Sequence, residues 1–132
     1  MNLRKFRALL KPYRIQVEEG RVYFSAPYFD EYEDYNYKSD VISFNNLQAD
    51  SCCGVEEIGG IDFSSKWKTL PQQVSNEIVN YLFPTSKQFQ IIYSLECDKN
   101  WKMFNEALSA TGWTPLKRWR GNGPNIIQAW CR

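Results

Sequence analysis

Apolar residues recur at helical spacing in three stretches of the chain and at strand spacing in most of the rest. Residues 2–11 predict a short amphipathic helix ended by Pro12. Ile15 and Val17, then Glu19-Gly20, then Val22 and Phe24 alternate as a β-hairpin with a two-residue turn. Residues 27–37 follow neither period and predict an irregular acidic-aromatic loop or a short helix. Residues 41–47 and 54–63 predict strands, the second with Gly59-Gly60 as a bulge or as a place of close approach to the backbone. Pro71 opens a helix that buries Val74, Ile78, Val79 and Leu82 and is closed by Pro84. Residues 89–95 are largely apolar and predict the central strand. A second long helix, capped by Asp98 and stopped at Gly112, turns Trp101, Phe104, Ala107 and Leu108 inward. Residues 116–120 and 126–130 flank Gly121-Asn122-Gly123-Pro124 as a closing hairpin.

This order predicts an α+β fold with a mixed central sheet flanked by helices. At 132 residues, with no internal repeat and no linker-like stretch, the expectation is a single domain over residues 1–132. No apolar run approaches the length of a membrane span. The N-terminal ten residues lack the clean apolar stretch of a signal peptide, which points to a cytoplasmic protein.

Composition changes the picture chiefly through an absence. The chain has no histidine, which removes Ser-His-Asp and Cys-His nucleophiles and the commonest zinc hydrolase sites. The four cysteines, at 52, 53, 97 and 131, lack the paired spacing of a zinc site, so no metal is expected and reduced thiols are the default. Net charge is only +1, yet it is segregated: residues 23–63 carry nine acidic side chains and one basic, and both flanks are basic.

Residues 54–132 resemble the second half of a GNAT domain, the N-acyltransferase superfamily: central strand, helix, strand, helix, closing hairpin. The resemblance is best at Gly112-Trp113, where that superfamily often has an Asn-led helix ending in Gly and an aromatic. Asn100 lies one residue from the expected Asn. A GNAT site implies acetyl-CoA held between two splayed parallel strands, with the pyrophosphate on backbone N–H groups of a glycine-containing loop and helix N-terminus. Here that loop reads Ser64-Ser65-Lys66-Trp67-Lys68-Thr69-Leu70-Pro71-Gln72-Gln73, without glycine. Lys66 and Lys68 can still meet phosphates as point charges, but Trp67 and Leu70 obstruct the backbone. Leu108 stands where the general-acid Tyr is common. These departures resemble small phage proteins with a GNAT-like second half and an eroded cofactor loop. They imply an accessory protein, of a virion or anti-defence kind, that acts by binding in the host cytoplasm, with catalysis lost.

The candidate residues follow from both readings. In a GNAT-like cleft Glu56 or Glu57 would deprotonate an amine, since adjacent strand positions face opposite ways and only one reaches the cleft. The bland alternative is the polar face of a half-exposed strand. Cys53, in Ser51-Cys52-Cys53-Gly54, is either a nucleophile at a strand entry or a packed thiol. Lys117-Arg118-Trp119-Arg120 suits a single-stranded nucleic acid, or equally a charged edge strand. Tyr32, Glu33, Asp34 and Tyr35 belong to an acidic-aromatic segment suited to a basic protein partner. Three functions therefore stand open: a binding protein, an acetyl-CoA-dependent N-acetyltransferase, and a nucleic-acid-binding module.

Overall fold

The computed structural model describes residues 2–29, 34–47, 56–84, 88–94, 99–120 and 125–132. The fold is α+β, and the described residues form three α-helices and two sheets.

Helix α1 (Leu3–Leu10) starts at Asn2, whose side chain accepts the Lys5 amide at 2.8 Å, and buries Phe6 and Leu10 one turn apart. The chain does not stop at Pro12 but passes through a 3₁₀ turn, Lys11–Tyr13, with Pro12 inside its first turn. Strand β1 (Ile15–Glu18) buries Ile15 and Val17 and pairs with β2 (Arg21–Phe29). Glu19 and Gly20 both take positive φ (47° and 80°), as a twisted two-residue hairpin turn demands, so the predicted turn is where the pattern put it.

The loop or short helix expected over residues 27–37 is corrected where that run is described, at 27–29 and 34–37, which are strand. Strand β2 runs on to Phe29 and pairs with β3 (Asp34–Asp40), in register from Tyr23↔Asp40 to Phe29↔Asp34. These three strands form one sheet in the order β1-β2-β3. Val41, fully buried, joins it to the next sheet: its amide donates to Val22 O and its carbonyl accepts from Ser64 N.

The second sheet has five strands, numbered β4 (Ile42–Leu47), β5 (Glu56–Phe63), β6 (Gln88–Ser94), β7 (Thr114–Arg120) and β8 (Asn125–Cys131). Their order is β4-β5-β6-β8-β7, so the apolar run does form the middle strand. Strands β5 and β6 are parallel and every other neighbour is antiparallel, which makes the sheet mixed. Helix α2 (Gln72–Leu82) makes the crossover from β5 to β6, and α3 (Lys99–Ala110) leads from β6 to β7.

Helix α2 buries Val74, Ser75, Ile78 and Val79, while α3 buries Met103, Phe104, Ala107 and Leu108. Gln72 Nε2 ties the two by donating to Met103 O at 3.0 Å. Gly112 (φ 95°) ends α3, with Trp113 N donating to Leu108 O and Gly112 N to Ser109 O. The Arg132 guanidinium donates to the carbonyls of Phe83 and Pro84 and to Asn80 Oδ1, placing a cation at the C-terminal end of α2. Beneath the helices lies an aromatic core. Phe83 stacks on Phe89 at 5.3 Å, and Phe89 meets Trp113 edge-on at 4.6 Å.

Candidate functional site

Among the described residues, strands β5 and β6 pair over three residues. Glu56, Glu57 and Ile58 pair with Phe89, Gln90 and Ile91, and the parallel ladder ends there. Farther on, among the described residues, residues 59–63 keep β4 as their paired neighbour and residues 92–94 keep β8. The expected irregularity at Gly59-Gly60 lies at this parting: Asn45 opposes Gly59 while Ser43 opposes Asp62, so β5 holds one extra residue. Two parallel strands thus separate at their C-terminal ends, immediately before the segment that leads to α2.

That segment closes on itself. Ser64 N donates to Val41 O, Lys66 N to Ser64 Oγ and Trp67 N to Ser64 O. Thr69 N donates to Lys66 O, and Leu70 N to Trp67 O. Five of the seven amides from 64 to 70 are therefore engaged inside the protein. Residues 67–69 form a 3₁₀ turn, a shape that turns N–H groups inward on their own carbonyls. Trp67 opens it with no exposed surface, and its indole N–H donates to Asn100 O at 3.1 Å. Its ring leans on Phe63 at 5.6 Å, and Phe63 meets Trp101 and Phe104 edge-on. Leu70 is buried beside it, and Pro71 opens α2 without a side-chain cap.

Lys66 and Lys68 are both exposed on this segment. The Lys66 ammonium stands 5.5 Å from the Phe24 ring, so it faces the first sheet. Glu56 and Glu57 lie on the paired part of β5, opposite Phe89 and Gln90. Cys53 falls outside the described residues, as do Tyr32 and Glu33. Asp34 and Tyr35 open β3, paired with Phe29 and Tyr28. Strand β3 is the last of its sheet, so one of its edges has no strand partner among the described residues. Among the described candidates, Glu56 and Glu57 thus lie at the start of β5, Lys66 and Lys68 in the segment before α2, and Asp34 and Tyr35 at the start of β3.

Leu108 is fully buried in the core, where no side chain could pass a proton to a bound substrate. Strand β7, which carries Lys117-Arg118-Trp119-Arg120, is a terminal strand exposed almost throughout. A register shift between Pro115 and Arg118 interrupts its strand alternation. The shift is held by buried Gln128, which donates to Lys117 O and Ala129 O and accepts from Arg118 Nε. No three acidic or cysteine side chains gather into a metal-binding group among the described residues. Among the described residues, no helix is long and apolar enough to cross a membrane.

The reading of Trp67 as an obstruction anticipated its bulk but not its bonds. The acceptor role of Ser64 was within reach of sequence reasoning, because a Ser opening a turn commonly bonds amides one to three residues on. The Trp67–Asn100 bond joins residues 33 apart and has no local signal. Comparison with family models, with curated proteins and with solved structures returned no match in any of the three.

Proposed function

We propose that this chain is a GNAT-like domain that works by binding a partner and does not carry out acyl transfer. The parallel pair β5 and β6, parting at the C-terminal ends and linked through α2, is in keeping with that architecture. The observation that carries the loss of catalysis is the closed segment before α2. A pyrophosphate needs several free amides converging on it. Here five are donated elsewhere, and a buried indole fills the turn. Lys66 and Lys68 supply charge without the cradle, and two exposed point charges in water give little fixed geometry.

Acetyl-CoA is accordingly expected to show no saturable heat of binding in calorimetry at micromolar ligand. A micromolar dissociation constant, about −8 kcal/mol, would overturn the reading and restore an N-acetyltransferase with Glu56 or Glu57 as its base.

The partner-binding part is the acidic-aromatic run that includes Tyr32, Glu33, Asp34 and Tyr35, the last two of which open β3 beside β2. Tyrosines offer contact area at low entropic cost, and four carboxylates within residues 30–34 attract a basic protein surface. An accessory protein of phage type, meeting a host or virion protein, fits this chemistry. Changing Asp30, Glu31, Glu33 and Asp34 together to lysine should lower the association rate with the native partner by about tenfold or more, with the effect shrinking as salt rises. Equal recovery of partners by the wild type and this variant, from the same lysate, would dispose of the hairpin as the contact.

A further inference from the structure

At the opposite edge of the three-stranded sheet, beyond β1, lies a cleft of about 460 Å³ with three basic side chains on its wall, Arg7, Lys11 and Arg14. They come from successive pieces of chain: Arg7 from the last turn of α1, Lys11 from the start of the 3₁₀ turn, and Arg14 from the residue that ends it. All three are exposed, and among the described residues none has a carboxylate within ion-pair distance. Gln16 and Ser25 complete the polar lining, and among the described residues no acidic side chain lines the cleft. The nearby Glu18 carboxylate is 2.9 Å from the Tyr23 hydroxyl, which is also 3.0 Å from Gln16 Oε1. Like charges gathered without counter-charges repel one another, and an anion between them relieves the repulsion.

The backbone of Arg14 supplies an independent observation. Its φ of 57° and ψ of 37° put it in the left-handed region, shared among described non-glycine residues only with Glu19 in the hairpin turn. A position that ends a helical turn this way favours glycine, and a long side chain there is strained. The strain is held by Arg14 N donating to Lys11 O and Arg14 O accepting from Ser25 N, both at 3.0 Å. A strained residue retained at a cleft points to use of its side chain.

We propose that this cleft binds the phosphate of a phosphorylated ligand of about nucleotide size, a site separate from the partner-binding hairpin. Two guanidiniums offer forked, paired donors that match phosphate oxygens, and Lys11 adds a compact charge. A phosphate carrying nearly two negative charges answers three cations better than a single carboxylate does. The cleft's volume is in the range of small-ligand sites, and Ile15 and Val17 give it an apolar floor for the rest of the molecule.

The test uses the whole chain with pyrophosphate, ADP and a single-stranded oligonucleotide as probes, comparing the wild type with Arg14→Gly, Arg7→Gln and, as a control on an exposed cation of α3, Lys102→Gln. Arg14→Gly should weaken pyrophosphate or ADP by about ten- to a hundredfold, the loss of one charge-assisted bond pair. Its melting temperature should hold or rise by roughly 1–4 °C, because glycine relieves the left-handed strain. Arg7→Gln should weaken the same probes by about tenfold or more, and Lys102→Gln should leave them unchanged. Saturable ADP binding with this pattern assigns the phosphate to a mononucleotide-like ligand. The proposal is overturned if no probe saturates, if the pattern is seen with the oligonucleotide alone, if Arg14→Gly binds like wild type, or if Lys102→Gln costs as much as Arg14→Gly.

Discussion

Trp67→Ala is expected to lower the free energy of unfolding by about 3–5 kcal/mol, as large aromatic truncations in a packed core do. The side chain has no exposed surface, and its removal leaves a cavity and takes away the indole bond to Asn100 O. Against a total stability of about 5–15 kcal/mol for a domain of this kind, that is a large fraction. Trp67→Phe keeps most of the ring but removes the donor, so it should cost about 1–3 kcal/mol. Chemical denaturation followed by a shift in midpoint reads both. A loss below about 1 kcal/mol for the alanine variant would mean that Trp67 is not packed as described. The alanine variant also separates two reasons for excluding a pyrophosphate. If bulk alone kept the ligand out, Trp67→Ala would gain acetyl-CoA affinity. Because the amides of Ser64, Lys66, Thr69 and Leu70 remain donated, the affinity should stay absent.

Much of this fold was legible because its periods are strong. Val74, Ile78 and Val79 on α2 and Phe104, Ala107 and Leu108 on α3 repeat at three and four residues, and all six are buried. The middle strand stood out because its apolar residues are dense, and Phe89 and Ile91, two apart and so on one face, are both buried in the core. Strand β3 was missed for the opposite reason. A terminal strand of a small sheet need not bury one clean face, so Asp34-Tyr35-Asn36-Tyr37-Lys38 carries no apolar stripe to read. Strand β7 starts earlier than expected, at Thr114, because a terminal strand tolerates Pro115. The basic cleft was only half visible. Arg7 and Lys11 are four apart and share a helical side, but nothing in the letters indicates that Arg14 takes a left-handed backbone and joins them. Convergence of that kind is made by the turn, and a pattern search finds turns through glycine and proline more readily than through arginine.

The aromatic cluster at the end of β5 carries the other large expectation. Phe104 has no exposed surface and sits 5.9 Å from Phe63, 6.0 Å from Phe83 and 6.0 Å from Trp101, ring centre to ring centre. Phe104→Ala should therefore cost about 3–5 kcal/mol. The more informative result is its coupling with Trp67. The two rings do not need to touch, since Phe63 lies between them, at 5.6 Å from Trp67. Once either flank of Phe63 is removed, its packing on the other slackens, and the second truncation has less left to remove. The combined loss should thus fall short of the sum by about 0.5–3 kcal/mol, the range for residues that share a partner. Two alanine changes together approach the whole stability of the domain, so the cycle is better run with Trp67→Leu and Phe104→Leu, which keep more of the volume. Additivity within about 0.3–0.5 kcal/mol would mean that Phe63 does not couple them. In that event the turn that closes the phosphate segment would owe its rigidity to the Trp67–Asn100 bond and its own amides, and Trp67→Phe should loosen it nearly as far as Trp67→Leu.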